Sequence, residues 1–288
     1  MLKDTRANKL FLLALVILLA LGFAWVRGEI FLGKTYRSHE VIPFNQGDSL
    51  AVSTTTNPII LEVDPQATGV SLEIGTFEQK QVVTAKNGSN LSIKVSPKRR
   101  IWPFTFFGSP ASTLIVTVPP DRIKDLSLSS ISGKVTVLHS LRLNSASIAS
   151  TSSKVSVLDI FANKKISLSS VSGSVDAKSL ISSDSLEVKS TSGSVEAQSL
   201  QAPKITAKSV SGSVNVGLDL KSASDVSLSS TSGKIDADLH DSDNYTITAS
   251  STNGSITIGK ERQSTFTKGN GSSKITLRTV SGSISVDV

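Results

Sequence analysis

From residue 121 onward, apolar and polar positions alternate with a period of two, and a glycine breaks the alternation about every twenty residues. Aligned on that glycine in ISGKV, VSGSV, TSGSV, VSGSV, TSGKI, TNGSI and VSGSI, the anchors are Gly133, Gly173, Gly193, Gly212, Gly233, Gly254 and Gly282, with Ser153 in the glycine place of one further copy. Successive anchors lie 20, 20, 20, 19, 21, 21 and 28 residues apart. A ninth copy fits earlier in the chain, anchored on Asn57, with Leu50, Val52, Thr54, Thr56, Ile59 and Leu61 in the matching positions. Units of this size cannot bury their own apolar face, so they must stack on one another.

Within each copy the seventh and fifth residues before the anchor are apolar or alanine, as in Leu126/Leu128 and Leu186/Val188, and the third is always Ser or Thr. The second and fourth residues after it are apolar or alanine again. Such alternation predicts strands with one buried face. Counting in twos across the anchor does not join the two apolar sets, so the register slips by one at the glycine. Glycine suits such a corner because it reaches positive φ cheaply. The serines three and one before it are then expected to point inward and to bond one another as stacked hydroxyls. The fold class that follows is all-β: a β-solenoid of parallel, stacked coils of about 20 residues. Eight near-contiguous coils would make a rod on the order of 40 Å long. Residues 64–118 interrupt the pattern with strand-like runs and an Asn87-Gly88 hairpin signal, read as hairpin excursions that start the same sheet.

The opposite kind of pattern occupies the N-terminus. Leu10 to Val26 is uncharged and apolar, preceded by Lys3, Arg6 and Lys9 and followed by Arg27, with Trp25 at the interface position. Seventeen residues is the short end of what spans a bilayer as a helix. An uncleaved signal anchor fits better than a signal peptide cleaved after Ala20-Leu21-Gly22, because the apolar run continues past that site. The expected organisation is a cytoplasmic tail (1–9), a transmembrane anchor (10–26), a linker (27–39), an N-terminal β region with hairpin excursions (40–120) and regular solenoid repeats (121–288), the bulk lying outside the cytoplasm.

Composition narrows the chemistry. The 288 residues hold no cysteine and three histidines, which removes thiolate metal sites, cysteine nucleophiles and disulfides. The net charge of +7 is diffuse, with 12 Lys+Arg against 8 Asp+Glu in residues 1–120 and 18 against 15 thereafter. No stripe would track a phosphate backbone, so no nucleic acid is expected; attraction to anionic envelope polymers or head groups is the simpler consequence. Aromatics make up only 5% of the chain, as a thin core would require.

The early Leu50-x-Val52…Asn57-x-Ile59 coil, the Val116-Thr117-Val118-Pro119 run and the Ser-Gly-x-Val units from Ser132 onward resemble the bacterial candidate-adhesin family of β-strand-repeat proteins of unknown function. The resemblance covers roughly residues 40–288. It implies an extracytoplasmic, often membrane-anchored solenoid linked to the cell envelope.

Three features could carry chemistry. Three residues after the anchor runs a row containing Thr136, Ser156, Asp176, Glu196, Asn215 and Asp236. Stacking puts Asp176 and Glu196 on the order of 5 Å apart, which suits either a paired-carboxylate glycosidase site or an exposed polar ladder relieved by nearby lysines. His139 and His240 fall in coils roughly 24 Å apart and cannot share a metal; neither a metal nor another cofactor is expected. Arg99, Arg100, Trp102, Phe104, Phe106 and Phe107 concentrate four of the fourteen aromatics behind positive charge, either as a hydrophobic cap on the first coil or as a membrane or partner contact. The chain also stops inside a strand, at Val286-Asp287-Val288, which would leave an open coil able to pair end to end with a second copy. The leading expectation is a non-catalytic, membrane-anchored envelope scaffold or adhesin-like interaction protein, binding a protein partner or an envelope polymer. The alternative is a polysaccharide-acting β-helix enzyme using the Asp176/Glu196 row.

Overall fold

A computed structural model describes residues 40–74, 80–97, 112–220, 224–240 and 243–288. The strands are β1 (Glu40–Pro43), β2 (Asp48–Thr54), β3 (Ile59–Val63), β4 (Gly69–Ile74), β5 (Lys80–Asn87), β6 (Asn90–Pro97), β7 (Leu114–Val118), β8 (Ile123–Ser130), β9 (Val135–Val137) and β10 (Leu141–Leu143). The regular coils continue with β11 (Ser145–Ser150), β12 (Val155–Ala162), β13 (Ile166–Ser170), β14 (Val175–Ser182), β15 (Ser185–Ser190), β16 (Val195–Gln201), β17 (Lys204–Ser209) and β18 (Val214–Asp219). The last are β19 (Asp225–Ser230), β20 (Ile235–His240), β21 (Tyr245–Asn253), β22 (Ile256–Ile258), β23 (Thr265–Lys268), β24 (Ser273–Ser281) and β25 (Ile284–Asp287).

Each coil contributes one strand before its anchor to a twelve-stranded sheet and one after it to a thirteen-stranded sheet, and coil-to-coil pairing is parallel and in register. Leu168, for example, stacks on Leu186's neighbour Val188, and Val175 on Val195. The inward positions form one continuous core of Leu, Ile, Val and Ala. Burying each large side chain is worth about 1.5–3 kcal/mol, and every coil repeats that gain only by contact with its neighbours. A second parity change follows the first. In β12 the buried residues are Val155 and Val157, then Ile160 and Ala162, so the strand bends at Leu158-Asp159 and turns a further apolar pair inward.

The corner glycines are needed for a different reason from the one expected. Among the described residues, positive φ occurs at Gly47, Gly88, Asp121, Gly259, Gly269 and Gly271, and at none of the repeat anchors. A Cβ at Gly173, Gly193, Gly212 or Gly233 would instead run into the backbone carbonyl of the anchor one coil below. The requirement is close approach of two backbones. The serines also divide. Those three before the anchor are buried, except the half-buried Ser251, whereas those one before, such as Ser132 and Ser192, are exposed. Nor do the buried hydroxyls chiefly bond one another, although Thr54 does donate to Ser130 (2.9 Å). Ser190 Oγ accepts from its own Gly193 N–H (2.9 Å) and donates to the Gly173 carbonyl of the next coil (2.9 Å). The same pair of bonds recurs at Ser150, Ser170, Ser209 and Ser230.

Spatial order departs from chain order at both ends. The β6–β7 segment forms a tenth coil that stacks outside the β2–β3 coil, so the first coil of the chain is second in space. Antiparallel β5 covers β6, while β4 and then β1 cover β7. At the far end β24–β25 inserts between the Gly233 coil and the Gly254 coil. The expectation that the chain's last strand forms the open end is therefore corrected: β25 lies between β20 and β22, antiparallel β23 closes one sheet, and the other stops at the three-residue β22. Short or covered edges of this kind resist edge-to-edge pairing. The two aromatics among the largest fully buried side chains, Phe44 and Tyr245, both sit in these end regions.

Candidate functional site

The row three after the anchor is assembled as the repeat requires. Asp176 pairs in register with Glu196, Glu196 with Asn215, and Asn215 with Asp236. These side chains face outward from β14, β16, β18 and β20 because the residues immediately on either side, such as Val175/Ala177 and Val195/Ala197, take the core positions. Asp176 is in an ion pair with Lys154, Asp236 with Lys234 (2.7 Å), and Glu196 Oε1 accepts from Ser194 Oγ (3.1 Å). Asp176 and Glu196 line a shallow groove that also holds Thr136, Leu138, Lys178 and His240. The row thus brings three predicted carboxylates onto one face and gives each a polar partner. His139 lies outside it and accepts a hydrogen bond at Nδ1 from the Val63 amide (3.2 Å), while His240 approaches Asp238 (3.6 Å). No group of three or more His, Asp or Glu side chains able to hold a metal occurs among the described residues.

Arg99, Arg100, Trp102, Phe104, Phe106 and Phe107 lie outside the described residues, as does the apolar segment 10–26. Among the described residues no helix is long and apolar enough to cross a membrane. The capping function considered for the aromatic segment is performed, among the described residues, by β1, β4 and β5.

The opposite face carries a second, longer groove of about 840 Å³ that was not singled out from the sequence. It runs along the twelve-stranded sheet beside the corner, between the residues four and two before the anchor, from the β6 and Asn57 coils to the Gly233 coil. Next to its edge, Glu187 is clamped between Lys165 (2.6 Å) and Lys189, and hydrogen bonds from Lys165 and then Lys189 pull its carboxyl down to about 2. The signal for the groove was present in the aligned repeats, two residues before the glycine, but it is periodic and apolar rather than chemical.

A family model described as Toastrack DUF4097 matches residues 49–287. The chain belongs to this family. The matched span runs along the stack from β2 to β25 and leaves out the antiparallel end strand β1. Among solved structures, a candidate adhesin from Bacteroides fragilis is similar with a TM-score of 0.52 at 12% identity, covering 88% of this chain and 98% of that one. A candidate adhesin from Parabacteroides merdae is similar with a TM-score of 0.45 at 10% identity, covering 89% and 98%. No curated protein is similar enough to count as a relative.

Proposed function

We propose that this Toastrack protein is a non-catalytic, adhesin-like interaction protein, anchored in the membrane by residues 10–26 with the solenoid outside the cytoplasm. The observation that carries the reading is the repetition of the surface: the same side-chain ranks recur on every coil along the stack, which offers a partner many equivalent contacts instead of one convergent cleft. The carboxylates that could serve hydrolysis are already held by Lys154, Ser194 and Lys234. The candidate-adhesin description of the Bacteroides fragilis neighbour agrees with an interaction role. Residues 10–26 supply the anchor in this reading through their uncharged apolar run.

The absence of native cysteine makes the topology testable on a silent background. A single Ser192→Cys variant is expected to react with a membrane-impermeant maleimide on intact cells. Labelling that occurs only after lysis would overturn the orientation. Co-retention of envelope glycans or proteins with the detergent-extracted full-length protein, above that seen with residues 1–39 fused to an unrelated domain, tests the interaction role itself.

A further inference from the structure

Read in spatial order from the β2–β3 coil, the residue two before each anchor is Thr55, Ile131, Thr151, Val171, Thr191, Val210, Thr231, Val280 and Thr252. Threonine alternates with an apolar β-branched residue on every coil. In chain order the alternation would fail, because Thr231 and Thr252 are successive. It is restored only because the Val280 coil inserts between theirs. The alternation is therefore a property of the assembled surface. The apolar members are about half exposed, at 54% for Ile131, 49% for Val171, 48% for Val210 and 49% for Val280. They form a methyl stripe with a period of two coils, about 9.6 Å.

Beside this stripe runs the rank four before the anchor: Lys94, Ser53, Ser129, Ala149, Ser169, Lys189, Lys208, Ser229 and Arg278 in spatial order. It contains four cations and no carboxylate. Across the solenoid the thirteen-stranded sheet displays Asp176, Glu196, Asp236 and Asp238, two of them paired with Lys154 and Lys234, so carboxylates gather on that face and cations in this rank. Self-association through the basic groove would set cation against cation. Packing it on the acidic face of another copy would oppose two grooves, since that face is concave as well.

We infer that this groove binds a linear acidic polysaccharide, laid along the stack. The inference rests on the interaction role proposed above and names its surface and partner. Sugar C–H faces pack on the Val/Ile methyls, hydroxyls meet the Thr and Ser ranks, and sparse carboxylates meet Lys208 in the groove and Arg278 on the coil just beyond its Ser229 end, two coils from Lys208. A nucleic acid carries charge every few ångströms and would need a far denser cationic rank.

The test titrates the full-length protein in non-ionic detergent with polygalacturonate and with its methyl-esterified, uncharged form. Binding is expected for the acidic polymer, with about a tenfold loss in a Lys208→Glu/Arg278→Glu variant and a comparable loss in Val171→Asp/Val210→Asp. Lys178→Glu, on the other face, is expected to bind as the parent does. All these positions are solvent-facing, and matching thermal melts confirm folding. Equal binding of the methyl ester, tighter binding of single-stranded DNA or polyglutamate, or indifference to the Lys208/Arg278 change would each overturn the inference. If the detergent-extracted protein co-retains envelope components without polygalacturonate binding, the inference fails and the interaction role stands; if both are absent, the role fails too.

Discussion

Ser190 is where two coils share a hydrogen-bond node, since one hydroxyl satisfies the Gly193 amide of its own coil and the Gly173 carbonyl of the next. Ser190→Ala orphans a buried donor and is expected to cost about 2 kcal/mol. Ser192→Ala, exposed two residues later, should stay within about 0.5 kcal/mol. Gly193→Ala drives a methyl into the Gly173 carbonyl and should cost about 3 kcal/mol. Urea midpoints of the three variants separate close approach and node satisfaction from simple serine content. Glu187 supplies a pH-dependent contribution at the same scale. Its carboxyl falls from an ordinary 4.5 to about 2 because Lys165 and Lys189 donate to it, so its stabilisation is complete above pH 4.5 and is lost as pH falls toward 2. Solvent screening of the exposed lysines keeps the effect to about 1 kcal/mol. The stability gap between the parent and Glu187→Gln should therefore be visible at pH 7 and vanish near pH 2; a gap independent of pH would show that the ion pairs are not its source.

At the scale of the element, the insertion of β24–β25 converts the chain's terminus into an interior coil. β24 is hydrogen-bonded on both sides, by β19 and β21, and β25 by β20 and β22. Native-state hydrogen exchange should accordingly find β24 amides as protected as those of β17, against the usual fraying of chain ends. Fast exchange throughout β24 would refute the order. A comparable device holds the other end. Asp125 resists the desolvation of its site by accepting from Ser145 (2.6 Å), Asn144 (3.0 Å) and Ser49 (3.2 Å), which lowers its carboxyl and ties β8 to β11 and to the displaced β2. Strand existence, inward positions and the corner at each glycine were legible in the sequence because period-two burial leaves a direct trace. Coil order was not, because parallel coils with the same apolar template are interchangeable in that pattern. The 28-residue spacing before Gly282 marked extra chain but not its path, which runs out through β22 and β23 and back under the Gly254 coil. The second bend was readable, in Leu158-Asp159-Ile160 and Lys178-Ser179-Leu180, yet hides unless parity is counted twice.

For the whole molecule, near-identical coils imply energetics that add by nearest neighbours, so length and integrity can be varied separately. Excising Ser174–Gly212 removes two coils and joins Gly173 to Ser213, which rebuilds the Ser-Gly-Ser-Val corner. The new neighbours are compatible: Ile166 and Leu168 of β13 meet Val226 and Leu228 of β19, and Val155 and Val157 of β12 meet Val214 and Val216 of β18. The register shift now absorbed between Ala197 and Leu200 moves to the new junction. Val171 comes to lie beside Thr231, so the surface alternation also survives. This shortened chain should fold cooperatively, with a maximum dimension in small-angle scattering reduced by about 10 Å and a melting temperature only a few degrees lower. Removing residues 273–288, fewer in number, should do more harm. It strips partners from β19 and β20 on one side and from β21 and β22 on the other, so the Gly254 coil keeps no coil neighbour unless it moves inward to repack on β19 and β20. If the shorter, terminal truncation proved the milder of the two, the out-of-order coil would not be what locks the end of the stack.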